Sequence, residues 1–468
     1  MKFLLALFAL ISPLLAAEKP NIVFIFTDDL GYMDIGVNGS DLYRTPNIDK
    51  LATQGTRFTQ FRTAAHVCSP TRASVLTGQY PARIRLTDYL VGQPRPFVKL
   101  LIPDWKKGLV PGEDITLGET LKSAGYATAW LGKWHAGAGA KDFGFDVGNQ
   151  NWKLNTKDDP ADQKGVHTLN KEAFGFITAN KEKPFFLALS HYSPHGPIRF
   201  RKELRDEYQK IIDEKKPRQT DAGFAAMIED LDLSIGQLLD FLEKEKLVEN
   251  TLVIFTSDNG GQLGQTNNAP LRNGKGSLYD GGIRVPLIAR FPGRIPAGAT
   301  SDAKLCSIDF LPTFAALAGA KTPETVDGID ITAVLEGKSA PTRETLYWHS
   351  PHYHNTKPSG AILKGDWKLI EWFETGDTEL FDVKADPHEK KDLAAENPDK
   401  ARELLADLKV WREKVGAQMM KENPAYDPAK ESQGPPKKEK KPKKDKQEKP
   451  AKGDKEKKPK APETEENE

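Results

Sequence analysis

The stretch N-I-V-F-I-F-T-D-D, Asn21 to Asp29, places five apolar residues directly before a hydroxyl group and two carboxylates. A short, unbroken apolar run of this kind is typical of a strand that is buried on both faces of a parallel sheet. Similar runs follow at residues 127–131, 185–189, 252–255 and 287–289, with helical patterns at 116–124 and 224–244. This alternation predicts an α/β fold with three layers and a mostly parallel sheet over residues 18–345.

The pattern changes after residue 345. Short strand-like runs separated by the turn signals K-G-D and E-T-G-D lie at residues 361–363, 367–372 and 379–382. An amphipathic helix is predicted over 397–418. Residues 346–426 are therefore predicted to form a smaller C-terminal α+β subdomain, an antiparallel sheet with a covering helix.

The two ends of the chain are expected to lie outside the folded domains. Lys2, the apolar residues 3–15 and Ala16–Ala17 predict a signal peptide over 1–17, hence export to the periplasm or medium, although an uncleaved anchor is an alternative. Residues 427–468 are rich in Lys, Glu and Pro, which predicts a disordered, solvated tail or a tether to an anionic surface polymer. No other segment suits a stable membrane span, and the net charge of +1 argues against nucleic acid as a partner.

Polar side chains follow several of the predicted strands. Because the carboxyl ends of parallel strands share one edge of a sheet, these residues are expected to meet there. They are Asp28, Asp29, Lys133, His135, His191, His195, Asp258 and Asn259.

The oxygen-bearing members of this set suggest a metal site. Asp28, Asp29, Asp258 and Asn259 offer only oxygen ligands, which suit a hard divalent cation. Calcium is favoured over magnesium because several carboxylates can share a loose shell of high coordination number. Taken alone, the pair Asp28–Asp29 or the pair Asp258–Asn259 could instead cap the helix that follows its strand.

The stretch C-S-P-T-R-A-S-V-L-T-G, residues 68–78, contains one of the two cysteines of the chain. Ser69 is a natural N-cap, Pro70 suits a first helical turn and Gly78 suits the helix end. Cys68 would then lie just before a helix N-terminus, where negative charge is stabilised, with Arg72 one turn away. The alternatives are an inert core cysteine, a disulfide with Cys306, and a thiolate nucleophile.

The same stretch resembles the signature of the type I sulfatases, C-x-P-x-R-x-x-x-L-T-G. Further segments resemble motifs of that family, in the family's order, over about residues 19–420: N-I-V-F-I-F-T-D-D-L-G-Y, G-K-W-H, S-P-H-G-P, T-S-D-N-G-G, N-G-K-G-S and Y-D-G-G-I-R-V-P. The resemblance is strongest to the arylsulfatase A and N-acetylgalactosamine sulfatase branch. It implies an alkaline-phosphatase-like fold and a sulfuric ester hydrolase.

The resemblance also implies how the site works. A separate maturation enzyme would oxidise Cys68 to formylglycine, whose hydrated form attacks the sulfur atom and later expels sulfate. Calcium would be held by Asp28, Asp29, Asp258 and Asn259, with residue 68 also touching the metal. Arg72 and Lys133 would stabilise the gem-diol and the sulfate oxygens, His135 would be the base, Lys275 and His195 would serve the leaving group, and His191 would be structural.

The substrate is predicted less closely than the reaction. Residues 87–105 and the ring-rich residues 347–354 are candidates for binding the alcohol, although 347–354 could equally pack between the two domains. Export and the resemblance favour a sulfated glycan, cleaved by an exo-acting enzyme that prefers galactose or N-acetylgalactosamine sulfates. The rivals are a phosphonate monoester or phosphodiester hydrolase with the same nucleophile, a non-catalytic protein that binds sulfated glycans, and a thiol enzyme that uses unmodified Cys68.

Overall fold

The computed structural model describes residues 19–149, 159–338 and 343–432. The predicted signal peptide, and the predicted tail beyond residue 432, lie outside these residues.

The strands and helices alternate through most of the described chain. The strands are β1 Asn21–Asp28, β2 Thr56–Phe58, β3 Phe61–Arg62, β4 Leu100–Leu101, β5 Ala127–Gly132, β6 Val147–Asn149, β7 Phe185–Pro194, β8 Thr251–Ser257, β9 Leu287–Arg290, β10 Ala299–Ser301, β11 Leu305–Cys306, β12 Thr345–Ser350, β13 Ser359–Lys364, β14 Trp367–Trp372, β15 Thr378–Asp382 and β16 Lys421–Glu422. The helices are α1 Pro46–Thr53, α2 Cys68–Thr77, α3 Pro81–Ile84, α4 Leu117–Ser123, α5 Val166–Asn180, α6 Lys202–Lys215, α7 Ala222–Lys244, α8 Asp280–Ile283, α9 Phe310–Ala318, α10 Thr332–Leu335 and α11 Pro398–Val415.

The main sheet has eight strands in the order β10-β2-β9-β8-β1-β7-β5-β6. β8, β1, β7, β5 and β6 form a parallel block, and β1 lies near the centre of the whole sheet. The predicted α/β architecture with a mostly parallel sheet is confirmed. The central position of β1 explains its sequence, because a strand with neighbours on both sides and helices on both faces needs apolar residues at every position.

One strand of this sheet runs the other way. The run at 287–289 was predicted to be parallel, but β9 is antiparallel to β8 and to β2. The reason lies in the connection. Residues 258–286 stay at the carboxyl end of β8 and form loops there, so the chain enters β9 from that same edge and must run back along β8.

The side chains of β1 alternate between two hydrophobic cores. Ile22, Phe24 and Phe26 face the layer that contains α2, α4 and α9. Val23 and Ile25 face the layer of α1, α5 and α7. The two cores make the three-layer arrangement, which fixes the carboxyl end of β1 at the middle of one edge of the sheet.

The longest helix begins slightly earlier than predicted. α7 starts at Ala222 because the Asp221 side chain accepts a hydrogen bond of 2.9 Å from the backbone N–H of Phe224 and so caps the first turn. Within the described residues, no helix has the length and apolar character that crossing a membrane requires.

The C-terminal part contains a second, four-stranded antiparallel sheet, in the order β12-β13-β14-β15. α11 packs on it through Leu404, Leu408 and Trp411. The hairpin signals located β13, β14 and β15, whereas β12 was not predicted as a strand. The pattern of β12, T-L-Y-W-H-S, gives little strand signal because its rings and polar groups do not alternate cleanly.

A buried network of four charges joins the C-terminal sheet to the main domain, through β3 and α8. Arg62 donates to Asp280 at 3.0 Å and 2.6 Å, and Lys368 donates to Asp280 at 2.9 Å and to Glu389 at 2.6 Å. All four side chains are almost completely buried. Because each charge lies against an opposite one, the interface tolerates ions that would otherwise be costly to bury.

Lys368→Met should destabilise the protein by about 3 kcal/mol, because it leaves Glu389 buried without its cation. Lys364→Met is the matched control on the neighbouring strand, since Lys364 pairs with Glu403 and Asp407 at the surface, and it should cost much less. The check is urea unfolding followed by fluorescence. Equal unfolding midpoints for the two variants would contradict the importance of the buried network.

Candidate active site

Four parallel strands deliver the predicted residues to one edge of the sheet, and one of them, β7, ends just before His195. β1 ends at Asp28, β8 ends just before Asp258 and Asn259, and β5 ends just before Lys133. The backbone turns sharply after β1, where Asp29 has a φ of 65°. Asp tolerates this left-handed conformation better than most residues, because its short polar side chain can bond locally.

A glycine allows β5 and β7 to end in close contact. Gly132 has a φ of 94°, and a Cβ atom there would lie 2.0 Å from the carbonyl oxygen of Ser190. Next to it, the backbone N–H of Lys133 donates to that same carbonyl at 2.7 Å. Any other residue at 132 would push the strands apart and displace Lys133.

Cys68 is the first residue of α2, rather than the residue before it. The N-cap is Val67, and Ser69 does not cap the helix as predicted. Its hydroxyl accepts a hydrogen bond from the backbone N–H of Leu90 at 3.0 Å, so it holds a neighbouring loop instead. The predicted helix end at Gly78 is confirmed by its left-handed φ of 67°.

The two cysteines are both buried and both free, so the alternative of a Cys68–Cys306 disulfide is wrong. Burial raises the pKa of the Cys68 thiol to about 11, although Lys133 and Lys275 oppose this. The unmodified side chain is therefore a neutral thiol rather than a thiolate.

Four side chains converge on a point that could hold a metal ion. One ligand atom from each of Asp28, Asp29, Cys68 and His195 lies within 4.8 Å of the others. Beside them, Asn259 donates through Nδ2 to Asp29 at 2.8 Å, while its Oδ1 is buried without a hydrogen-bond partner. An orphaned amide oxygen next to two buried carboxylates fits a hard divalent cation.

Asp258 lies beside this group and is engaged by other residues. Its Oδ2 accepts from Arg72 Nε at 2.9 Å, and its Oδ1 accepts from the backbone N–H of Asp29 at 3.2 Å. Arg72 is completely buried and also donates to Ser190 Oγ at 2.7 Å. Arg72 thus ties the start of α2 to the ends of β7 and β8.

The carboxylates are paired with two lysines. Lys133 Nζ lies 2.6 Å from Asp28, and Lys275 Nζ lies 2.7 Å from Asp29. Burial alone would raise the pKa of Asp28, but Lys133, His195 and Arg72 outweigh it and hold that pKa well below its usual range. Asp28 is therefore ionised in its buried position.

The histidines occupy different environments. His195 Nδ1 contacts the carbonyl oxygen of Gly196 at 2.7 Å, so Nδ1 carries the proton and Nε2 faces Asp29 at 3.7 Å. His135 Nε2 contacts the carbonyl of Leu90 at 2.7 Å, which leaves Nδ1 as the acceptor of its neutral ring. His191 is fully buried on the other face of β7, and burial lowers its pKa to about 3.

Two further residues support the site and were not predicted. Ser190 Oγ bridges Arg72 and the carbonyl oxygen of Lys133. Lys164 donates to the carbonyl oxygen of His195 at 2.7 Å, and burial lowers its pKa to about 8. Ser190 follows a predicted strand and could have been found from that position. Lys164 comes from a loop without any motif, so the sequence carries no signal for it.

A cavity of about 330 Å³ opens above Cys68, His135, His195 and Lys275. Its wall comes from both segments that were predicted to bind the alcohol: Tyr89, Gln93 and Arg95 from the first, Tyr353 and His354 from the second. The second segment is divided in two. Its start packs in the interior, where Tyr347 stacks on Trp411, and only its end reaches the cavity.

The fold and this edge of the sheet together define a protein of the alkaline-phosphatase-like α/β class. The family model described as Sulfatase matches residues 20–320, and a second one, N-sulphoglucosamine sulphohydrolase, C-terminal, matches residues 273–416. The chain belongs to the sulfatase family and is a sulfuric ester hydrolase, as its motifs predicted.

Similar proteins come from bacteria and animals. A Sulfatase from Formosa agariphila is 32% identical, over 86% of this chain and 92% of the relative. Arylsulfatase A of Homo sapiens is 31% identical, over 86% and 84%. An N-acetylgalactosamine-6-O-sulfatase of Bacteroides thetaiotaomicron is 28% identical, over 83% and 92%. These relatives agree with the predicted branch of the family.

Solved structures share the fold. Ps i-CgsB in complex with k-i-k-neocarrahexaose superposes with a TM-score of 0.72 at 29% identity, covering 87% of this chain and 95% of that one. A phosphonate monoester hydrolase of Agrobacterium radiobacter superposes with a TM-score of 0.66 at 18% identity, over 85% and 96%. The second likeness concerns the fold alone.

Calcium or magnesium should raise the thermal unfolding midpoint of protein treated with chelator, because a cation that binds only the folded state stabilises it. Asp29→Asn should lower the affinity for the cation by about ten-fold or more, because it removes a charged ligand. Asn, like Asp, tolerates the left-handed backbone at this position. Asp41→Asn, at an exposed carboxylate paired with Arg218, is the control. An unfolding midpoint that neither cation shifts would contradict the metal site.

Proposed function

We propose that the protein releases inorganic sulfate from sulfated carbohydrates, with residue 68 as the nucleophile after conversion to formylglycine. The observation that carries the proposal is the position of Cys68. It begins a helix, belongs to the small group with Asp28, Asp29 and His195, and lies at the floor of the cavity. An attacking group there would be near both a cation site and the approaching substrate.

The surrounding charges suit a sulfuryl group. Arg72 and Lys133 are almost fully buried, and their ion pairs with Asp258 and Asp28 fix their positions. Fixed positive charge in a water-poor site stabilises charge that develops on sulfate oxygens without reorganising. In our proposal, Arg72 and Lys133 serve residue 68 and the sulfate oxygens, whereas Lys275 and His195 serve the departing alcohol.

The proposed site needs two groups that form or bind after synthesis, namely formylglycine at residue 68 and a divalent cation. When formed, the hydrated aldehyde at residue 68 would supply one hydroxyl to accept the sulfuryl group and a second to expel sulfate. Calcium, in preference to magnesium, would be held by Asp28, Asp29, Asp258, Asn259 and residue 68, and would neutralise charge on the sulfate. Conversion requires a maturation enzyme as a partner, and the predicted signal peptide places the protein outside the cytoplasm.

Carbohydrate is the proposed alcohol. The relatives include enzymes named for N-acetylgalactosamine sulfates, and Ps i-CgsB was solved with an oligosaccharide. The cavity is at the small end of the usual range for ligand pockets, which favours a terminal sugar and exo action. Galactose and N-acetylgalactosamine sulfates are therefore the first substrates to test.

The test compares conversion with turnover. Protein made with and without the maturation enzyme is digested, and the mass of the peptide 63–72 gives the fraction of residue 68 present as aldehyde. Release of sulfate from 4-nitrophenyl sulfate and sulfated galactosamines should rise in proportion to that fraction and disappear in Cys68→Ala.

Three results would overturn parts of this proposal. Full turnover with the thiol intact would favour the thiol enzyme. Faster cleavage of an aryl phosphodiester than of the aryl sulfate would favour the phosphonate or phosphodiester hydrolase. Tight binding of a sulfated glycan by fully converted protein without sulfate release would favour the binding protein.

The proposed base, His135, predicts a pH dependence. Burial, followed by the charge of Lys133, lowers its pKa to about 4, so the ring is neutral and can accept a proton above that pH. Turnover should fall as the pH falls through about 4, where the ring becomes protonated. His135→Asn, which suits the φ of 53°, should reduce kcat by about 100-fold or more and remove this acidic limb.

The pH–rate profile of both proteins provides the measurement, with His388→Asn as control, at a half-buried histidine that does not line the cavity. An acidic limb unchanged in His135→Asn would remove His135 from the role of base.

A further inference from the structure

Arg95 differs from the other cations around the cavity. Arg72, Lys133 and Lys275 each pair with a buried carboxylate. Arg95 has no ion pair with any described residue. Its Nε is buried without a hydrogen-bond partner, and one terminal nitrogen donates to Gln93 at 3.1 Å. A guanidinium in a binding cavity that is matched by no carboxylate has capacity for an anion from outside.

The other residues that line the cavity also favour a negatively charged ligand. No Asp or Glu is among the described residues that line the cavity, whereas Arg95 and Lys275 are cationic. Asp28 and Asp29 lie beneath, at the floor, where they face Lys133 and Lys275. The wall of the cavity is therefore suited to an anionic ligand that extends beyond the reacting sulfate.

The segment that carries Arg95 is anchored on both domains. Thr87 contacts His352 at 2.8 Å, and Asp88 lies 2.9 Å from His354. Leu90 is held through its N–H by Ser69 and through its carbonyl by His135. The chain before Arg95 is thus fixed to the start of α2, to the proposed base and to the loop after β12. After Arg95, the carbonyls of Pro96 and Val98 accept from Asn423 Nδ2, so the backbone on both sides of Arg95 is anchored beside the cavity.

We infer that Arg95 binds a second anionic group of the substrate, a carboxylate or another sulfate, in addition to the sulfate that is cleaved. This inference rests on the proposed function and narrows its substrate class to acidic saccharides that carry at least two negative charges. The cleaved sulfate has its own cations beneath the cavity, Arg72 and Lys133, while Lys275 serves the departing alcohol. Arg95, on the wall, is left for a neighbouring group.

A planar guanidinium also suits this role better than an ammonium group. It can bind a carboxylate or sulfate with two parallel hydrogen bonds, which fixes the orientation of the sugar as well as its charge. Arg95→Lys should therefore keep only part of the preference for ligands with two negative charges, and Arg95→Gln should lose that preference.

The experiment measures binding by calorimetry in a Cys68→Ala background, where substrates stay intact. The three ligands are N-acetylgalactosamine 6-sulfate, N-acetylgalactosamine 4,6-disulfate, and a disaccharide of a uronic acid with N-acetylgalactosamine 6-sulfate. At least one of the two dianionic ligands should bind about ten-fold or more tightly than the monosulfate. Which of them does so distinguishes a second sulfate from a carboxylate.

The variants decide whether Arg95 is responsible. Arg95→Gln should reduce the ratio of affinities to near one while leaving the affinity for the monosulfate within about three-fold. Arg85→Gln is the matched control, because Arg85 also donates to a glutamine, Gln418, but does not line the cavity. It should leave the ratio unchanged.

The outcomes separate this inference from the proposed function. Equal affinity for all three ligands, a preference that survives Arg95→Gln, or no binding of either dianionic ligand would each overturn the role of Arg95. If converted wild-type protein releases sulfate from the monosulfate as fast as from the dianionic ligands, the role of Arg95 is also overturned. That result would still support the sulfatase activity. Absence of sulfate release from every ligand, with the affinity ratio intact, would overturn the proposed function alone.

Discussion

The site depends on one electrostatic constraint: charges that are buried at the edge of a sheet must alternate in sign. Asp28, Asp29 and Asp258 would be expensive to bury together if they faced only one another. Each lies instead against a cation, Lys133, Lys275 or Arg72. Removal of any one member leaves a buried charge uncompensated, so the group holds its geometry as a unit and fixes the surroundings of Cys68.

The same constraint links the two domains. The C-terminal part contributes Lys368 and Glu389 to the buried network, whose other two members, Arg62 and Asp280, belong to the main domain. It also places His352 and His354 beside Asp88. Burial alone would raise the pKa of Asp88, but the contacts with His354 and His352 lower it. The wall of the cavity is therefore shared between the two parts of the chain, so the position of the C-terminal sheet sets the shape of the cavity.

The sequence predicted the parts of the fold and site that local patterns encode. Unbroken apolar runs identified β1, β5, β7 and β8, and the residues that follow them meet in space because parallel strands end at one edge. The direction of β9 could not be predicted in this way, because a short apolar run is compatible with a parallel or an antiparallel strand. Lys164 was missed for a different reason. It acts through the carbonyl oxygen of His195, and a backbone acceptor leaves no mark on the sequence.

The arrangement also separates reaction from recognition. The groups at the floor come from strand ends and from the first turns of α2, where backbone hydrogen bonds and two hydrophobic cores leave little freedom. The groups on the wall come from the segment around Arg95 and from residues 353–355, which are connecting segments held at a few points. Changes in the wall can therefore alter the cavity without moving Cys68, because the hydrogen bonds described for the floor residues do not involve the side chain of Arg95. This separation explains why the class of reaction can be recognised from strand-end motifs, whereas the identity of the sugar must be sought in the loops.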